Sequence, residues 1–216
     1  MDVTLLSQVL LGLSSAVALT GVAFWLASLM ARARILDLAP EKGSARAGVV
    51  YALTVGMMPW KKESTRKHWV DYLRGILFHV GAFAGIIVVL LSLWWGDGPL
   101  AYRLLFGAAV AIGLVAGVLG LLVRVSNDNL RALSRADDYI SPALVTAFLL
   151  AALGFLLGAW SRAAFYLVTS VVLLYLPFSK VRHCVYFFFS RSYFGNLFGR
   201  RGVMGFTHGN GLEGRG

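Results

Sequence analysis

The chain has 216 residues, 58% of them hydrophobic and only 14% charged, a composition that argues against a water-soluble enzyme. Five membrane spans of about 20 residues each would use most of this length and leave no room for a separate soluble domain. The single cysteine, Cys184, excludes an intrachain disulfide and an iron–sulfur cluster held by the usual four thiolates.

Hydrophobic runs long enough to cross a bilayer lie at Leu5 to Met30, Val70 to Trp95, Ala101 to Val123, Pro142 to Trp160 and Ala163 to Phe189. They predict an all-α membrane protein, a five-transmembrane-helix bundle over residues 1–190, followed by a cytoplasmic tail at 191–216. The first run is too long for a signal peptide and has no basic residue before it, so it is expected to stay as an anchor. Between the first two runs lie Arg32, Arg34, Lys42, Arg46, Lys61, Lys62, Arg66 and Lys67, with Arg74 just inside the second. Such a basic connection belongs in the cytoplasm. Arg124, Arg131 and Arg135 after the third run, and Lys180 to Arg215 in the tail, then fall on the same side. The N-terminus is outside and the C-terminus inside. On this reading the net charge of +10 is a topology signal, and nucleic acid is not an expected partner.

Val49 to Trp60 is too short to cross and is interrupted by Pro59, so an interfacial or re-entrant piece is expected there. Trp60, Trp69, Trp94, Trp95 and Trp160 lie near span ends, where an indole is favoured. Gly107, Gly113, Ala116, Gly117 and Gly120 give the third helix a small-residue stripe for close packing. Ser141 and Pro142 form an N-cap and N1 pair that predicts a helix start after the polar stretch Ser126 to Tyr139. Pro177 should kink the fifth helix.

An ionisable side chain at depth in a span is a functional candidate. His79 lies about ten residues into the second helix, roughly 15 Å deep, and His183 about six residues before the end of the fifth, roughly 9 Å from the same surface. Two imidazoles at similar depth on antiparallel helices can ligate one haem from opposite faces. Two histidines hydrogen-bonded to neighbouring helices would produce the same pattern, and the residues alone leave both readings standing. Gly75 and Ala82, one turn from His79, are small enough for a porphyrin to lie against. Ser179, Lys180, Tyr186 and Phe187 surround His183. Lys180 and Arg182, with Arg74 and Arg124, are propionate candidates, equally readable as cations snorkelling to the interface. His68 and His208 are expected near water. A proton pathway lacks acidic partners within the spans, apart from Asp71 near one end.

The segments Leu77-Phe78-His79-Val80-Gly81 and Leu174-Tyr175-Leu176-Pro177-Phe178-Ser179-Lys180-Val181-Arg182-His183 resemble the haem-binding segments of the nitrate reductase gamma-subunit superfamily. These are five-helix b-type cytochromes, a group that includes the cytochrome b subunits of heterodisulfide reductases and the membrane cytochromes of sulfate-reducer redox complexes. The resemblance implies His79 and His183 as axial ligands of haem b. The family pattern places a second, outer pair of histidines at positions occupied here by Val89 and Phe165, neither of which can ligate iron. One haem, on the cytoplasmic side, is therefore expected. Loss of the outer haem puts the family's outer quinol site in doubt and leaves a quinone close to the inner haem open.

The resemblance further implies a membrane cytochrome b subunit of a respiratory redox complex in a bacterial or archaeal cytoplasmic membrane. It would move electrons between the quinone pool, or membrane or periplasmic redox subunits, and a cytoplasmic iron–sulfur subunit of the heterodisulfide reductase type. Tyr186 to Arg201 alternates aromatics with Arg191, Arg200 and Arg201, as a docking surface or a helix end lying on lipid would. The tail beyond it is glycine-rich and calls for a partner to order it. A haem-free membrane anchor that only docks soluble subunits is the alternative, and a small transporter ranks last.

Overall fold

The computed structural model describes residues 2–32, 38–61, 67–96 and 98–204. Arg34, Lys62 and Arg66 of the basic connection, and His208 and Arg215 of the tail, lie outside the described residues. The protein is a multi-pass membrane protein of all-α fold. Among the described residues, four helices are each long and apolar enough to cross a bilayer: α1 (Val3–Met30), α3 (Trp69–Trp95), α4 (Leu100–Ser126) and α6 (Ala136–Leu156). Shorter helices are α2 (Ala45–Leu53), α5 (Asp128–Leu133), α7 (Arg162–Tyr175) and α8 (His183–Arg200). The chain divides into two compact units. The first comprises residues 1–25 and 70–182, and the second residues 26–69 and 183–216.

In the first unit the apolar spans are sorted by small residues. Ser7, Leu11, Ser14 and Ala18 recur every three or four positions and are the buried side of α1. The serine hydroxyls there bond back to carbonyls of their own helix, Ser7 Oγ to Thr4 at 2.7 Å and Ser14 Oγ to Leu11 at 3.0 Å, so the packed face carries no unsatisfied polar group. α3 and α4 meet where a Cβ on Gly81 would stand 2.5 Å from Gly113 Cα. The small-residue stripe is thus packing at Gly113, and at Gly117, which lies under Phe78 and Thr146, whereas a Cβ on Gly107 would meet nothing within 4 Å. α4 packs on α6 and α6 on α7 around Val88, Val110, Phe148, Leu149, Phe155, Phe165 and Tyr166. Ser92 and Tyr166 share a buried hydrogen bond of 3.0 Å.

Two sequence expectations are corrected. The fourth helix begins at Ala136, not Pro142, with Arg135 as N-cap. Asp138 reaches back to accept from the Arg135 backbone N–H at 2.9 Å, which satisfies a first-turn donor more directly than Ser141 could. Ser141 therefore sits inside the helix, and Pro142 lies beyond the first turn, where it leaves the Asp138 carbonyl without its intrahelical donor.

The second correction concerns the fifth run, 163–189, which is not one helix. α7 has 14 residues, about 21 Å of rise, short of the roughly 30 Å hydrocarbon thickness. Two 3-10 turns follow, Leu176–Phe178 and Lys180–Arg182, separated by Ser179 in an extended conformation (φ −105°, ψ 174°). A fifth span exists only if the segments on both sides of this break are counted together. Pro177 does more than kink the helix, because Ser179 restarts it: its Oγ accepts from Val181 N–H at 3.2 Å, as an N-cap does.

In the second unit α2 lies against α8. A Cβ on Gly48 would stand 2.1 Å from the Gly195 carbonyl oxygen and 2.5 Å from Gly199 Cα, so the two backbones touch with no side chain between them. The backbone N–H groups of Lys42 and Gly43 both donate to the Arg200 carbonyl, at 2.8 and 3.0 Å. They cap the C-terminus of α8, while Arg200 pairs with Glu41 at 2.8 Å. The short apolar piece expected at 49–60 is thus the end of a packed helix followed by 3-10 turns.

Candidate functional site

His79 lies near the middle of α3, in the first unit. Its Nδ1 is 2.7 Å from the Gly75 carbonyl oxygen. A carbonyl can only accept, so Nδ1 carries the proton and Nε2 of the neutral ring carries the lone pair. Backbone anchoring through Nδ1 is how metal-ligating histidines are commonly oriented. The ring is on an exposed stripe with Ile76, Val80 and Phe83, in a helix whose apolar length matches a membrane span. An ionisable side chain within such a span is by default a functional candidate. Gly75, half-buried beside it, has nothing within 4 Å of where a Cβ would stand.

That open space is part of a cleft of about 160 Å³ lined by Asp71, Arg74, Gly75, Phe78, Gly120 and Arg124 among others. Three residues chosen from sequence, Arg74, Gly75 and Arg124, are brought together here. Arg74 pairs with Asp71 at 2.9 Å, and Arg124 donates through Nη1 to Ser134 Oγ at 2.8 Å. Ala82, one turn further along α3, is half-buried.

The remaining candidates gather at the break after α7. Ser179 is buried, 1% exposed. Lys180 forms an ion pair with Asp138 through Nζ, and its backbone N–H donates to Asp137 Oδ2 at 2.8 Å. The Arg182 guanidinium lies over the Trp25 ring, 4.6 Å from the centroid. Lys180 and Arg182 thus each have a protein partner at the break, which a simple snorkelling reading does not supply.

His183 is the first residue of α8, exposed, and belongs to the second unit. The depth of about 9 Å, reckoned along a straight helix, does not carry over, because the helix is broken four residues earlier. His79 lies in the first unit and His183 in the second. On α8, Gly195 and Gly199 turn toward α2 and Arg191 Nη2 lies 2.7 Å from Met57 Sδ. Phe188 and Tyr193 remain exposed.

At Val89 and Phe165, where the cytochromes that the sequence resembles carry a second histidine pair, the chain is closely packed. Phe165 is fully buried, stacked on Phe155 (centroids 5.2 Å, 14°) and Phe148 (6.1 Å, 23°), and Val89 packs against the same core. Sequence reasoning missed Trp25, Asp137 and Tyr175 as partners of the break. The Pro177-Phe178-Ser179 run, read as a stop followed by an N-cap, was the available signal.

The architecture defines a class, the polytopic helical membrane proteins. No family model, no curated protein and no solved structure matches the chain.

Proposed function

We propose that the protein is the membrane cytochrome b subunit of a respiratory redox complex, with His79 and His183 as axial ligands of a single haem b. The observation that carries this reading is His79, an exposed imidazole within a helix long and apolar enough to cross a membrane, whose Nδ1 donates to the Gly75 carbonyl, so that Nε2 would be the ligating nitrogen. The residues suit the group. Gly75 places no side chain beside the ring, and Arg74 and Arg124 bring two guanidinium groups to a cleft that Gly75 also lines, where propionates would be held. The bound haem would supply one-electron transfer. The chain's part is to hold the ligands, balance the propionate charge and exclude water. The aromatic stack around Phe165 supports one haem rather than two, since that level is occupied by side chains.

Electrons would pass between the quinone pool, or membrane partners, and a cytoplasmic iron–sulfur subunit. The exposed Phe188 and Tyr193 of α8 are the aromatics available for docking it. The test is spectral. Membranes containing the protein should show reduced b-type bands that His79→Ala and His183→Ala each abolish, with one haem per chain by pyridine haemochrome. Unchanged bands in either variant reject the ligand assignment, and a purified protein without Soret absorption replaces this reading with a haem-free anchor.

A further inference from the structure

The second unit is packed the wrong way round for water. Among its described residues the buried ones are Gly48, Ala52, Gly195 and Gly199, none larger than alanine. α2 and α8 run antiparallel along a seam of small residues: Ser44, Gly48 and Ala52, each four positions on from the last, meet Gly199 and Gly195. In water two helices associate by taking large apolar side chains out of solvent. A glycine seam takes out few. Backbone contact of this kind belongs to helices in an apolar medium, where close packing is the remaining driving force. The large side chains face outward instead: Val50, Met58, Trp60, Phe189 and Phe194 are all exposed. Charge is gathered in the same unit. Residues 26–69 and 183–216 hold twelve Lys and Arg against four Asp and Glu, so they carry +8 of the chain's net +10. Lys42, Arg46 and Lys61 are exposed, and Arg46 stands one turn from Val50 on the side of α2 away from Gly48 and Ala52.

We propose that the second unit is a lipid-binding hairpin that seats in the interface of an anionic bilayer, with Val50, Met58 and Trp60 among the acyl chains and Lys42, Arg46 and Lys61 at the phosphates. Apolar side chains and cations placed side by side are what such a surface accepts, the long cationic stems reaching outward to the headgroups. The unit begins at Leu26, inside a helix long and apolar enough to cross a membrane, so the chain itself tethers it to lipid. An acidic protein surface would answer the charge but not the seam, which leaves the large apolar side chains outside. Neither observation involves the haem.

The test uses the full chain in a Cys184→Ser background, with one spin label at Val50→Cys or Met58→Cys, in nanodiscs of neutral or of anionic phospholipid. Power saturation compares collisions of the label with oxygen, which enters the bilayer, and with a nickel chelate, which stays in water. In anionic bilayers oxygen should dominate at both positions. In neutral bilayers, or with Lys42→Gln and Arg46→Gln together, the ratio of immersed to water-exposed label should fall about ten-fold or more. The backbone bonds from Lys42 and Gly43 to the Arg200 carbonyl survive these changes, and unchanged hydrogen exchange over 45–53 verifies an intact hairpin. Arg131→Gln, which removes an exposed cation paired with Asp128 in the first unit, is the charge-matched control and should leave the label immersed. Nickel-dominated collisions in anionic bilayers overturn the proposal. Poor access for both reagents also overturns it, because protein then covers the face. Immersion indifferent to lipid charge and to the paired substitutions, or lost equally with Arg131→Gln, overturns anionic lipid as the occupant. The cytochrome reading is decided separately, since no arm of this test reads haem.

Discussion

Replacing Phe165 by Ala measures how much the aromatic stack between α6 and α7 contributes to packing. The ring is fully buried and stacked on Phe148 and Phe155. In a water-soluble protein this change loses both the transfer energy of the ring and the contacts around the cavity. In a bilayer a detached helix still lies in hydrocarbon, so the transfer contribution largely cancels and the cavity contribution remains. Removing about 100 Å³ of side chain at about 24 cal/mol per Å³ predicts a loss of about 2.4 kcal/mol, reduced by any collapse of α6 onto α7. Phe83→Ala is the matched control, since Phe83 is 61% exposed on α3 and its removal should cost under about 0.5 kcal/mol. Reversible unfolding in bicelles, followed by steric trapping, gives both values. Equal effects at the two positions would refute the reasoning.

Other outcomes follow from single contacts. Gly48→Ala puts a methyl into the Gly195 carbonyl and should weaken the α2–α8 pair by about 1–3 kcal/mol, seen as faster hydrogen exchange over 45–53 with no change in α3. A double-mutant cycle on Ser92→Ala and Tyr166→Phe should return a coupling of about 0.6 kcal/mol, the usual size of a hydrogen bond between membrane helices; zero coupling would mean that the two hydroxyls do not pair in the bilayer.

Much of the architecture was readable because a bilayer leaves few choices. The runs beginning at Leu5, Val70 and Ala101 predicted α1, α3 and α4 to within a few residues, since a span must satisfy its own backbone and be apolar for about 20 positions. The fourth run showed its interior but not its start, because Asp137 and Asp138 look like loop residues until they are seen capping a helix and accepting from Lys180. The fifth run misled for a related reason. Hydropathy counts side chains and is blind to a break whose backbone groups are satisfied from elsewhere.

The candidate site divides in the same way. That His79 stands within an apolar helix, beside Gly75 and shortly after Arg74, is a matter of linear spacing and helical pitch, and the sequence determined it alone. So was the presence of Val89 and Phe165, neither of which can ligate iron. The stacking of Phe165 on Phe148 and Phe155, the meeting of Arg74 with Arg124 in one cleft, and the capture of Lys180 and Arg182 by Asp138 and Trp25 were decided only in the tertiary structure. The partners at the break lie as far apart in the chain as Trp25 and Pro177, which are separated by 152 positions. No local pattern records which side chain will supply a partner to a backbone group exposed at such a distance.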